Sequence, residues 1–186
     1  MPIRRPRSRL RSLQAEEIKN PKLTVMELAY LDASKLLADN NRCSSFFGGE
    51  KANQILEEFV ITLRKKTYPD SRIGIRLSGT ISLAESSDGV SYRLFENAEI
   101  NNQGAFYRAK MFSSEPHVPN MGSFAPNTRQ ARVMILLHEL AHLIKCRNGT
   151  WLIPDDGHNT DLSSRNTGTI ESVCGEYIRG WREFNK

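Results

Sequence analysis

No run of apolar residues in this chain is long enough to span a bilayer. No glycine-rich loop opens a helix to cradle a nucleotide phosphate, and no zinc-finger, helix-turn-helix or RNA-binding signature is present. These absences remove membrane-spanning, nucleotide-dependent and sequence-reading functions from the leading readings. Cysteine is scarce: Cys43, Cys146 and Cys174 are three, so at least one has no partner within the chain. Cys43 and Cys174 are either a bridge tying the first helical region to the last or two buried thiols, because sequence alone cannot place two sulfurs in bonding range. There is no internal repeat, and no low-complexity tract beyond the first dozen residues.

Basic charge in excess is confined to one end. Arg4, Arg5, Arg7, Arg9 and Arg11 all precede the first acid, Glu16; of the 26 Lys and Arg, the 21 that remain equal the 21 Asp and Glu. The net charge of +5 therefore belongs to the N-terminal segment. Residues 1–20 are expected to be a flexible basic arm, able to attract an anionic surface by plain electrostatics. The arm has no aromatic residue for stacking on bases before Glu16, so nucleic acid is not expected as the main partner. No apolar run follows its arginines, so no signal peptide is expected there, and the compartment stays open, secretion included.

Apolar residues make up 39% of the 186-residue chain and charged residues 25%, enough of each for an ordinary globule with one core. Helical spacing of apolar residues predicts a helix over 24–38, with Thr24 and Glu27 as a capping box, and a second over 50–65 after the Gly48-Gly49 turn. Phe46 and Phe47 are expected core anchors between them. Alternation predicts strands around Ile73–Leu77 and Ile81–Leu83, over 90–95, and over 104–111. Residues 112–126, with Pro116, Pro119, Gly122 and Pro126, read as loop. A long helix follows from Asn127, capped by Asn127 and Gln130, to about Cys146; its apolar residues cover more than one face, which places it centrally. A polar loop over 154–165 then leads to a last helix from about Asn166. The expected class is α+β: N-terminal helices and a small antiparallel or mixed sheet packed on that central helix.

The central helix carries His138-Glu139-Leu140-Ala141-His142. Four residues apart, both imidazoles project from one helical face and can reach a single Zn²⁺. Glu139, at the edge of that face, can act on a water at the metal as general base. A third ligand is needed, and Asp155, Asp156, His158, Asp161, Glu171 and Glu176 all lie within reach downstream. Cys146, four residues beyond His142, reads as packing. Tyr177, His158 and Arg165 are candidates for a transition-state donor, and His117 in the Pro-rich loop is expected to face solvent.

The segment Leu136 to His142 resembles the active-site helix of the zincin metallopeptidases. In the thermolysin-like members a glutamate from a later helix is the third ligand, which would implicate Glu171; the flanking signature is missing, since Gly168 and Gly175 stand where asparagine and aspartate are required. The pattern of astacin- and matrixin-like enzymes after His142 is also absent. The chain is similar, too, to uncharacterised bacterial proteins with a His-Glu-Leu-Gly/Ala-His helix, an aspartate-containing loop, an asparagine and a late cysteine, matched here by Asp155 or Asp156, Asn166 and Cys174. That resemblance favours an aspartate, placing Asp156 first, then Glu171 and His158. No function is carried over from those proteins; the zincin-like helix implies a zinc metallohydrolase domain over 21–186, and an exposed sheet edge able to bind an extended peptide by strand addition makes peptides or proteins the expected substrates. The alternatives are a zinc amidase acting on a non-ribosomal or cell-wall substrate and a zincin-like binding domain without turnover.

Overall fold

The computed structural model describes residues 23–87, 89–109, 117–157 and 159–181; the basic arm, residues 1–20, and His158 lie outside them. The first helix, α1 (Val25–Ala38), starts where its capping box dictates: the Thr24 hydroxyl accepts from the Glu27 N–H at 3.2 Å, and the Glu27 carboxylate accepts from the Thr24 N–H at 2.7 Å. Asn40-Asn41 ends it but also begins a short helix that the hydrophobic pattern did not announce. In α2 (Arg42–Phe47) the Asn41 side chain accepts from the Ser44 N–H at 2.8 Å, and Cys43 and Phe47 turn into the core.

The second expected helix is shorter than its periodicity suggests. In α3 (Lys51–Thr62), Ala52, Ile55, Leu56, Phe59 and Val60 form the buried stripe. The Thr62 hydroxyl donates back to the Phe59 carbonyl at 2.7 Å, an alternative to continued helix. Residues Leu63–Lys66 then leave as β1 and pair in parallel with the end of β3. Strand β2 (Ile75–Glu85) runs through both alternating stretches with an irregularity between Ser78 and Ile81, and pairs antiparallel with β3 (Ser91–Asn101). The sheet is mixed, in order β1-β3-β2.

β3 extends six residues past the expected end at residue 95 because it has partners on both sides there. At its tip Asn101 is fully buried. Its side chain donates to the carbonyls of Asp70 and Ile73, both at 3.0 Å, and accepts from the N–H groups of Tyr68 and Gln103. The strand expected over 104–111 does not form in its described part: the N–H groups of Tyr107 and Arg108 both turn back to the Gly104 carbonyl, and Ala105 and Phe106 are buried in that turn.

Helix α4 (Arg129–Leu143) opens two residues later than expected. Thr128, not Asn127, is the cap, accepting from the Ala131 N–H at 3.1 Å; Asn127 has φ 61° and donates its N–H to the Ala105 carbonyl. The helix also stops earlier, at Leu143. Ile144 and Lys145 are extended, bridging to Tyr92 on β3 and to Trp151. Cys146 is thus off the helix, in the Asn148-Gly149 turn region, as a free thiol. α4 touches α1, α3, β3 and the last helix, α5 (Thr160–Arg179), and its residues from Val133 to Leu137 are buried all round. Asp32 of α1 holds Arg129 at its start, at 2.5 and 2.6 Å.

α5 begins six residues before the expected start, because Asn159 caps it, accepting from the Leu162 N–H at 2.9 Å, and its first turns are polar and outward-facing. Ile170, Cys174 and Ile178 enter the core. Cys43 and Cys174 are joined as a disulfide, which fastens α2 to α5.

Candidate metal centre

His138 and His142 lie in the last turns of α4, both buried, with their rings 4.9 Å apart. Asp156 is brought to them by the loop between α4 and α5. After Asp156 the chain turns at Gly157, φ 52°, a conformation that a side chain would strain. The Asn159 N–H donates to the Asp156 carbonyl at 2.8 Å, and the Asn166 side chain on α5 donates to the Pro154 carbonyl at 2.9 Å. Asp156 is therefore braced on both sides.

Three atoms converge: Nε2 of His138 lies 3.1 Å from Nε2 of His142 and 3.1 Å from Oδ2 of Asp156, and that oxygen is 3.5 Å from Nε2 of His142. Ligands at about 2.0–2.1 Å from a tetrahedral Zn²⁺ stand about 3.3 Å from one another. The three sides match one face of such a tetrahedron. The donor chemistry is compatible with a cation, since two imidazole nitrogens and a carboxylate oxygen converge in a largely buried space. The cluster is a His-His-Asp arrangement with zinc-binding geometry.

The surroundings hold His138 more firmly than His142. The Thr167 hydroxyl on α5 is 3.0 Å from Nδ1 of His138, so a proton on Nδ1 leaves Nε2 as a bare lone pair. Nδ1 of His142 has no hydrogen-bond partner among the described residues. Burial would raise the Asp156 carboxyl, but where protons rather than a metal occupy the Nε2 positions, hydrogen bonds and charge from His138 and His142 hold it well below the usual carboxylate range. Glu139 is half-buried, and the surrounding protein pushes its carboxyl up to about 7; His138 opposes the shift and Asp156 adds to it.

The chain matches no protein-family model, and comparison with curated proteins and with solved structures returns no match.

Among the described residues, the other candidates for third ligand have other partners or face solvent. Glu171 is tied to Arg179 at 2.7 Å and to both the N–H and the hydroxyl of Ser123, in a place open only because Gly122 has no Cβ to collide with the carboxylate. Asp155 grips Arg93 and stands 3.9 Å from Nδ1, not Nε2, of His142. Asp161 and Glu176 are exposed on α5. Of the transition-state candidates, Tyr177 accepts from the Arg42 N–H at 3.3 Å, at the far end of α5 from Thr167, and Arg165 is exposed. His117 is exposed, as expected.

Two residues near the site were not singled out in the sequence: Thr167 and Arg93. Thr167 left one signal, its place beside Asn166 at the start of an apolar helical stripe. Arg93 left none, since an arginine between Tyr92 and Leu94 reads as the solvent side of an alternating strand.

Proposed function

We propose that this chain is a zinc metallopeptidase of the zincin-like kind, in which His138, His142 and Asp156 hold the metal and Glu139 is the general base. The observation that carries the reading is the triangle of Nε2, Nε2 and Oδ2 atoms with sides of 3.1, 3.1 and 3.5 Å, with the Glu139 carboxyl on the residue next to His138. Bound there, Zn²⁺ supplies Lewis acidity and lowers the pKa of water toward 7.

The chain's own residues would do the rest. His138 and His142 present lone pairs from a rigid, buried helix, and Asp156 closes the set from a braced loop, leaving the fourth direction for water and substrate. The Glu139 carboxylate takes a proton from the attacking water at one oxygen and hands it to the leaving amine nitrogen. A carboxylate beside the first histidine, at the edge of the face that carries both imidazoles, is placed to serve both halves of that transfer. No serine or cysteine nucleophile is involved. The reading extends to one metallohydrolase domain over 21–186, with the basic arm outside the catalytic unit.

Zinc content and turnover together test it. The full chain purified without added metal should carry about one Zn²⁺, and should cleave an unfolded protein such as casein. Glu139→Gln should keep the metal and lose about 10²–10⁴-fold in rate. Undiminished cleavage by that variant would remove Glu139 from the mechanism, and a folded parent that takes up no zinc would remove the metal.

A further inference from the structure

Arg93, on the middle strand of the sheet, is among the most buried charged residues described, with 3% of its surface exposed. All three of its donor nitrogens are engaged. Nε donates to the main-chain carbonyl of His142 at 2.9 Å, Nη1 donates to Oδ2 of Asp155 at 3.0 Å, and Nη2 donates to Oδ1 of Asp155. The guanidinium plane rests on the Trp151 ring, 4.1 Å from its centroid, with Phe95 at 5.3 Å. A charge held so far from water needs all these partners, and only a planar fork can meet them at once.

What this fork joins is informative. One prong holds the terminal turn of α4 at the residue whose imidazole faces the metal position; the other two hold the residue that immediately precedes Asp156. The two stretches lie 49 and 62 residues from Arg93 in sequence, and the sheet brings them together because the chain leaving α4 pairs onto β3 through Ile144 and Tyr92. The same Asp155 carboxylate stands 3.9 Å from Nδ1 of His142, the buried nitrogen without a hydrogen-bond partner among the described residues. A closure of about 1 Å would make it the carboxylate acceptor that metal-bound histidines commonly have.

We propose that Arg93 is a positioning residue of the metal centre: through Asp155 it sets the aspartate ligand and the free nitrogen of His142, and through the His142 carbonyl it fixes the helical turn that carries that ligand. The proposal rests on the zinc reading above. It gives Asp155 a role distinct from that of its neighbour, as the link between the fork and the ligands rather than as a ligand.

The test is Zn²⁺ affinity of the full chain, measured by competition with a chromogenic chelator, alongside the thermal midpoint of the metal-free protein. Arg93→Met and Asp155→Asn should each weaken zinc binding about 10–100-fold. The double variant should be no weaker than the worse single one, because the two residues act through each other. Arg93→Lys keeps the charge but not the fork and should not restore affinity. A remote core variant such as Ile55→Val, which only lowers the midpoint, should bind zinc as the parent does. Should Arg93→Met not fold, Asp155→Asn decides, since that carboxylate is 61% exposed and its loss leaves no cavity. Folded Arg93 and Asp155 variants that bind zinc within about twofold of the parent would overturn the proposal. Asp156→Ala and His142→Ala separate the two claims: if these also leave zinc binding unchanged, the metal assignment itself fails, whereas loss in these alone sinks only the role of Arg93.

Discussion

The hydroxyl of Thr167 stands 3.0 Å from Nδ1 of His138, joining helix α5 to the first histidine of α4. With Nδ1–H donating to that oxygen, the ring is locked in the tautomer that leaves Nε2 unprotonated, and its rotation is stopped. Thr167→Val keeps the shape and removes the acceptor; the expected result is about tenfold weaker zinc binding with little change in the metal-free midpoint, while Thr167→Ser retains affinity. Equal affinities for Val and Ser variants would deny the hydroxyl this part.

Metal removal gives a second measurable effect. Free zinc at a hundredfold excess over its Kd stabilises the folded chain by about 2.7 kcal/mol, a rise of about 5–10 °C in midpoint for a chain of this length. Chelation should reverse it, and His138→Ala should abolish it. A midpoint indifferent to both zinc and chelator would speak against a site formed in the folded state.

The Cys43–Cys174 bridge spans 131 residues of sequence. By loop-closure entropy such a link stabilises by up to about 5 kcal/mol, with about 2–4 more usual. Cys43→Ser with Cys174→Ser should lower the unfolding free energy by that amount in denaturant titration. Thiol counting on the unreduced, denatured parent should find only Cys146; three reactive thiols would show the bridge unformed.

Glu171 sets a pH dependence. Burial would raise its carboxyl, but the Ser123 hydroxyl and N–H and the Arg179 guanidinium outweigh it and hold the pKa below the ordinary 4.5. A carboxyl lowered on folding contributes stability that is complete above pH 4.5 and is lost as pH falls through the depressed value. Glu171→Gln should therefore cost about 1 kcal/mol at pH 7, and the gap to the parent should close on acidification. A gap that widens toward low pH would contradict the assigned sign.

How much of this was legible depended on how local each cause is. The capping box at Thr24 and Glu27, the buried stripe of α3 and the two histidines one turn apart are decided by neighbours in sequence, and each appears where its spacing predicts. The start of α5 was missed because its cap, Asn159, precedes two polar turns, and apolar periodicity sets in only near Asn166. Residues 63–65 read as helix because nothing local shows that β3 captures them. The ranking of Asp156 before Glu171 comes from a resemblance; that Asp156 and not Glu171 converges on the histidines has a cause no local window holds, the Ser123 and Arg179 partners of Glu171. Arg93 illustrates the limit: its burial depends on His142 and Asp155, both far along the chain, so no window around residue 93 contains it.

The disulfide has one more consequence. It closes a covalent ring, and Arg93, His138, Glu139, His142, Asp156, Asn166 and Thr167 all lie between its two cysteines. A single backbone cut anywhere inside that ring leaves one molecule, its two halves still fastened through α2 and α5. For a chain proposed to cleave peptides, a first nick by a neighbouring copy would not by itself part the helix bearing the histidines from the loop bearing the aspartate.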